Sequence, residues 1–183
     1  MTGRGTYEWP DGSFYDGEWI NGKRFGHGKM TYAGQSVYEG QWHDDVFQGH
    51  GVMYWTTKEI YEGNFDKGQI SGFGTYKYPG GTTLTGTFLD GKLEGRATVS
   101  QADGGVYEGE FKNHKKNGEG QFTWPQGQHY EGNFRNDTMD GKGAMQWNDG
   151  ASFTGSWKYG DYYQGEFTNR KGNKAKVSQK QNP

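Results

Sequence analysis

Apolar and polar positions alternate along nearly the whole chain, and glycine and aromatic residues supply most of the apolar set. In the stretch Ser13 to Trp19, Tyr15, Gly17 and Trp19 point one way and Asp16 and Glu18 the other. A period of two marks a β-strand whose two faces meet different surroundings. Asn21-Gly22 then reads as a two-residue hairpin turn. From Arg24 to Tyr32 the alternation resumes, with Gly26, Gly28, Met30 and Tyr32 on the ring side and His27, Lys29 and Thr31 opposite. No apolar set recurs at i, i+3, i+4, i+7, so the pattern predicts hairpins and no helix.

The hairpin repeats. The aromatic-x-Gly-x-aromatic pattern starts at Tyr15, Tyr38, Tyr61, Leu84, Tyr107, Tyr130 and Phe153, always 23 residues apart. Gly-x-Gly starts at Gly3, Gly26, Gly49, Gly72, Gly95, Gly118 and Gly141 with the same step. Links such as Pro10-Asp11-Gly12, Pro79-Gly80-Gly81 and Asn148-Asp149-Gly150 carry turn chemistry. The fold class is therefore all-β: a single-layer twisted antiparallel β-meander of repeated hairpins, an elongated sheet with a groove. The array should fill residues 1–168, with hairpins starting near 15, 38, 61, 84, 107, 130 and 153. Tyr163-Gln164-Gly165-Glu166-Phe167 should form a shortened closing strand within 162–168, and residues 169–183 a basic, disordered tail.

Composition says what fills the core. Isoleucine, leucine and valine together number 12, whereas the chain has 31 aromatic residues and 34 glycines. Each buried ring removes about 150–250 Å² from water, so rings laid on glycines can replace an aliphatic core. Glycine within a strand marks a close approach to the backbone. Gly26 and Gly28, Gly49 and Gly51, Gly72 and Gly74, Gly118 and Gly120, and Gly141 and Gly143 are thus expected to be hollows for rings. The rings expected to pack there are Tyr15, Trp19, Tyr38, Trp42, Tyr61, Phe65, Tyr107, Phe111, Tyr130, Phe134, Phe153 and Trp157. The copy around Leu84-Thr85-Gly86 departs from the pattern, as do Ala97, Val99 and Gln101. A change of curvature or a break in the groove is expected there.

Charge and cysteine limit the function. The chain carries −2 overall, yet Arg170, Lys171, Lys174, Lys176 and Lys180 lie in a tail without acids, leaving 15 basic and 22 acidic residues in the body. An acidic body does not attract nucleic acid, and it disfavours an anionic membrane except at the tail. Asp16, Glu39, Glu62, Glu108 and Glu131 form a ladder on the polar face. The absence of cysteine excludes disulfides and thiolate metal sites. With no apolar h-region or membrane-length run, a cytoplasmic protein is expected.

Repeats such as "YEGQWHDDVFQGHG" (residues 38–51) and "YEGNFRNDTMDGKG" (residues 130–143) give the chain its identity as a sequence. It resembles the MORN-repeat family over about residues 3–168. The resemblance implies a grooved antiparallel sheet, and a non-catalytic scaffold or adaptor in a cytoskeletal or ciliary/flagellar assembly. It leaves open a peripheral phosphoinositide-binding module or a regulatory subunit of an enzyme held in trans.

Candidate chemistry is sparse. The histidines lack companions at ligand spacing, so no metal is expected, and no nucleotide fingerprint or nucleophile motif occurs. No cofactor and no catalytic residue follow. A sheet of one layer leaves one row of rings uncovered: Tyr32, Trp55, Tyr78, Trp124 and Trp147. These should line a partner-binding groove for an apolar-faced helix or extended peptide. The open strand at Gly3-Arg4-Gly5-Thr6-Tyr7 is expected to pair with another copy, in end-to-end self-association, or with a partner.

Overall fold

The computed structural model describes residues 1–34 and 36–178, and every regular element among them is a β-strand. The first strands are β1 (Gly3–Glu8), β2 (Phe14–Ile20), β3 (Lys23–Thr31) and β4 (Val37–His43). Next come β5 (Val46–Tyr54), β6 (Ile60–Asp66), β7 (Gln69–Lys77) and β8 (Thr83–Leu89). The second half holds β9 (Lys92–Ser100), β10 (Val106–Lys112), β11 (Lys115–Thr123) and β12 (His129–Arg135). It ends with β13 (Thr138–Gln146), β14 (Ser152–Lys158), β15 (Asp161–Thr168) and β16 (Lys174–Ser178). The 16 strands follow chain order in one open antiparallel sheet, the meander of hairpins that the alternation predicts. Contacts divide the chain into two compact units, Met1–Lys92 and Leu93–Pro183. The division falls inside the irregular copy.

Two kinds of turn build each repeat. Within the hairpins, both central residues are left-handed: Asn21 and Gly22, Lys67 and Gly68, Asp90 and Gly91, Tyr159 and Gly160. This is the geometry whose twist suits a two-residue β-hairpin. Asp45, His114 and Asp137 stand in the second position without glycine, at φ of 70°, 66° and 71°. Each uses its side chain to accept a backbone N–H one hairpin upstream, from Arg24 (3.0 Å), Leu93 (3.2 Å) and Lys116 (2.9 Å) respectively. That bond offsets the strain of a left-handed side chain.

The two glycines of each Gly-x-Gly do different work, which corrects the expectation that both are hollows. Gly26, Gly49, Gly72, Gly118 and Gly141 have positive φ, and the ladder to the preceding strand shifts register beside them. They are bulge glycines. A Cβ on Gly26 would strike the Glu18 carboxyl, and one on Gly141 the Asn133 side chain, so neither cradles a ring. Only the second glycine of each pair lies beneath an aromatic.

The C-terminal region also differs from the disordered tail expected from its charge. Asn169 opens the same kind of link as the other repeats, Asn169 N–H to Asn173 O at 2.9 Å, and β16 then pairs with β15. The closing strand is therefore β16, not 162–168. A strand ladder satisfies the backbone there whatever the net charge, and Lys174 pairs with Glu166 at 2.8 Å. Residues 179–183 of the expected tail lie outside the described residues.

Candidate functional site

Tyr38 shows how the sequence builds the apolar face. Its ring lies flat across Gly40 and the opposing Gly51, a pair in direct register. A Cβ on Gly40 would lie 2.5 Å from the Gly51 Cα and 2.7 Å from the Tyr38 hydroxyl. The hydroxyl reaches across and donates to the Gln41 carbonyl at 2.8 Å. Tyr15, Tyr61, Tyr107 and Tyr130 make the same bond at 3.1 Å to Glu18, Asn64, Glu110 and Asn133. All five rings are fully buried. Phe153 covers Gly155 and Gly165 in the same way without a hydroxyl.

Each tyrosine also wedges edge-on between two further rings. Tyr15 meets Trp19 at 5.0 Å and Trp42 at 5.4 Å, and Tyr38 meets Trp42 at 5.2 Å and Phe65 at 5.1 Å. Tyr61 continues the zipper to Phe65 and Phe88. In the second unit Tyr107 bridges Phe111 and Phe134, Tyr130 bridges Phe134 and Trp157, and Phe153 meets Trp157. Edge-to-face pairs add about 0.5–1.5 kcal/mol each beyond burial. Trp19, Trp42 and Trp157 donate their indole N–H to the carbonyls of Gly5, Gly28 and Gly143. These rings are the core of the sheet.

Burial sets the behaviour of the phenols at high pH. It raises Tyr15, Tyr61 and Tyr130 to about 12, with the Arg24 cation opposing this at Tyr15. Tyr38 and Tyr107 are raised by the same cause. An unfolded phenol ionises near pH 10. The stability of these buried neutral rings is thus fully present below about pH 10 and is lost as pH rises from there through about 12. Denaturant titrations across that interval should show a steep fall in midpoint, with the absorbance of these five buried tyrosines as tyrosinate appearing together with unfolding. Ionisation of the five buried tyrosines near pH 10 in still-folded protein, read as the full tyrosine absorbance change before any unfolding, would contradict it.

The row expected to bind a partner sits at the strand ends, where each strand enters a link. Trp9, Tyr32, Trp55 and Tyr78 in the first unit, and Trp124 and Trp147 in the second, each donate a backbone N–H across their link. Tyr78 is exposed; Tyr32, Trp55, Trp124 and Trp147 are half-buried. They are less open than the lack of a second layer suggests, because neighbouring rings support them. Trp55 stacks on Tyr76 at 5.5 Å, Tyr78 leans on Tyr76 at 4.8 Å, and Trp124 meets Phe122 edge-on at 4.4 Å. Trp9, 23 residues before Tyr32, belongs to this row too and rests on Tyr7 at 4.7 Å. The repeat step points to it, although the first copy is incomplete. Gln101 occupies the position in the irregular copy and is exposed.

A second row was not legible as rings. Position 24 and its equivalents hold Arg24, Phe47, Ile70, Leu93, Lys116, Met139 and Tyr162. Phe47 stacks on Tyr38 at 4.0 Å; Arg24 lies over Trp42 at 4.3 Å, and the Lys116 ammonium over Phe122 at 4.4 Å. Burial lowers the Lys116 pKa. Arg24 pairs with Asp45 at 3.0 Å. Two cations are thus set among the rings, held by cation–π contact. On the polar face the acidic ladder is partly matched: Arg4 with Asp16, Lys29 with Glu39, Lys77 with Glu62. Among the described residues no three His, Asp or Glu converge as a metal site would require.

Comparison with known proteins follows this geometry. The model of the MORN repeat matches residues 1–14, 15–37, 38–59, 61–83, 85–106, 107–129 and 130–152. No curated protein matches the chain by sequence. The TCP domain of SAS-4 (dCPAP) of Drosophila melanogaster, solved in complex with a proline-rich motif of Ana2 (dSTIL), is 14% identical with a TM-score of 0.52. That match covers 96% of this chain and 90% of that one. The G-box domain of the microcephaly protein CPAP is 15% identical over 99% of both chains, with a TM-score of 0.56. At these identities the likeness is one of fold. The repeat model, in contrast, spans most of the sequence, and its boundaries coincide with the hairpins whose tyrosines lie on paired glycines: the chain belongs to the MORN-repeat family.

Proposed function

We propose that this protein is a non-catalytic scaffold or adaptor that holds an extended, proline-containing segment of a partner protein along its row of half-exposed rings. The single observation that carries this reading is the row itself: Trp9, Tyr32, Trp55 and Tyr78 in one unit, Trp124 and Trp147 in the other, on a sheet face without a covering layer among the described residues. Rings one repeat apart are two strands apart, about 9.6 Å. A polyproline II segment advances about 9.3 Å per three-residue turn, so every third side chain can meet a successive ring. A helix returns the same face about every 10.5 Å per seven residues and drifts out of step sooner. The similarly folded TCP domain of SAS-4 was solved with a proline-rich motif, which agrees with this choice. A cytoplasmic setting in a cytoskeletal or ciliary assembly is part of the proposal and rests on the family.

The test uses a fluorescent oligoproline of about ten residues. Tyr32→Ala and Trp55→Ala, both in the first unit, should each weaken its binding, and the double variant by about tenfold or more, a loss of roughly 1.4 kcal/mol. Circular dichroism should remain that of the folded sheet. Undiminished binding by the folded double variant, or binding only of an amphipathic helical peptide, would overturn the reading.

A further inference from the structure

Arg24 and Lys116 hold the same repeat position, one in each unit, and Asp45 and Asp137 stand at matching positions one hairpin on. Each aspartate accepts the backbone N–H of its cation, at 3.0 Å and 2.9 Å. The two side chains then part. The Arg24 guanidinium turns back on Asp45, its Nε donating to the carboxylate at 3.0 Å and its Nη2 to the carbonyl at 3.1 Å. Its charge is matched inside the protein. A guanidinium carries donors in a fork that includes Nε, whereas a lysine has its charge only at the tip of a four-carbon stem. Lys116 reaches across the ring face instead, its Nζ 4.4 Å from the centroid of Phe122, 4.8 Å from Tyr107 and 6.0 Å from Phe134. Among the described residues no carboxylate pairs with this half-buried ammonium and no acceptor takes its protons. Burial lowers its pKa, and Asp137, acting from beyond ion-pair reach, opposes this only in part. Ring faces attract a cation, but they leave its three N–H donors without oxygen acceptors.

We infer that Lys116 is the receptor for a carboxylate side chain in the extended partner segment held by the second unit. Phe122 links the cation to the ring row, for it lies under the ammonium and also meets Trp124 edge-on at 4.4 Å. A carboxylate arriving beside Trp124 supplies the missing acceptors where little water competes, and there a charge-assisted hydrogen bond is strong. The inference rests on the reading of the ring row as a binding surface and adds the charge of its occupant. A singly charged group suits the site better than a phosphate. The site offers one cation, and Glu110 and Asp137 both act as negative charges on the neighbouring Tyr107. An anionic membrane is disfavoured on the same ground, because it is held by several cations together. In the first unit Asp45 already satisfies Arg24, so only the second unit selects an acidic residue.

The probes are two fluorescent peptides, PPPPEPPPP and PPPPQPPPP, added to the intact protein. The glutamate peptide should bind about tenfold more tightly, as expected for a hydrogen bond between charged groups. That preference should shrink as salt is raised. In Lys116→Met the two peptides should bind alike. The fold of this variant should survive, since Met139 holds the equivalent position one repeat on. Side-chain NMR of Lys116 should show the ammonium keeping its proton to higher pH with the glutamate peptide than with the glutamine peptide. Equal binding of the two peptides, or a preference that persists in Lys116→Met, would overturn the inference and leave the reading of the ring row standing. Binding of neither peptide would overturn both. Tighter binding of a phosphoserine peptide, or Lys116-dependent binding of phosphatidylglycerol vesicles in place of the glutamate peptide, would overturn the choice of a carboxylate.

Discussion

Adding one methyl group, Gly40→Ala, is expected to destabilise the first unit by about 3 kcal/mol or more, at the upper end of what overpacking costs. The new Cβ would lie 2.5 Å from the Gly51 Cα, 2.7 Å from the Tyr38 hydroxyl and 2.8 Å from the His50 carbonyl oxygen. Two of those three atoms belong to backbone held by strand pairing, so they cannot step aside as a side-chain end could. The Tyr38 ring would have to lift, losing its bond to Gln41 and its edge contacts to Trp42 and Phe65. Gly80→Ala is the matched control, since a Cβ there meets nothing within 4 Å. It should change stability by less than about 1 kcal/mol. Urea denaturation of both variants, followed by tryptophan fluorescence, checks the pair. Equal midpoints would show that the glycine pairs are not the reason for the repeat.

Removing the ring is the complementary change. Tyr38→Ala should cost about 3–5 kcal/mol, the range for truncating a buried aromatic. Tyr38→Phe should cost only about 0.5–1.5 kcal/mol, because it forfeits one hydrogen bond and leaves the packing intact. Phe153, which covers its own glycine pair without a hydroxyl, shows that the ring suffices for the geometry. Tyr7→Ala, at a ring that is 49% exposed, should have a small effect. In an array of nearest-neighbour contacts the damage should also be local. Hydrogen exchange should accelerate first in β4, β5 and the hairpins beside them, before the second unit responds.

The first unit's central hairpins show how much the sequence disclosed. Alternation fixed which residues of β4 face the rings, because successive side chains of an unbulged strand point to opposite sides. The step of 23 residues placed each tyrosine, each paired glycine and the ring row, including Trp9 for a reader who extended the step backwards. Charge misled at the C-terminus. Lysines 174 and 176 read as a solvated tail, yet their backbone completes a ladder with β15, and ladder bonds are indifferent to side-chain sign.

By itself, then, the sequence determined the all-β class, the hairpin period and the ring-and-glycine core, since these depend on local alternation and on turn residues. Only the tertiary structure decided what each glycine is for. Gly49 and Gly51 are two residues apart and chemically identical, but one takes the left-handed bulge and the other lies under Tyr38. That difference arises from a register shift between two strands, a property of the pairing. The same holds for Arg24 and Lys116, which share a repeat position: one is tied to Asp45 and the other lies over rings. What those side chains meet depends on which backbone comes to lie beside them.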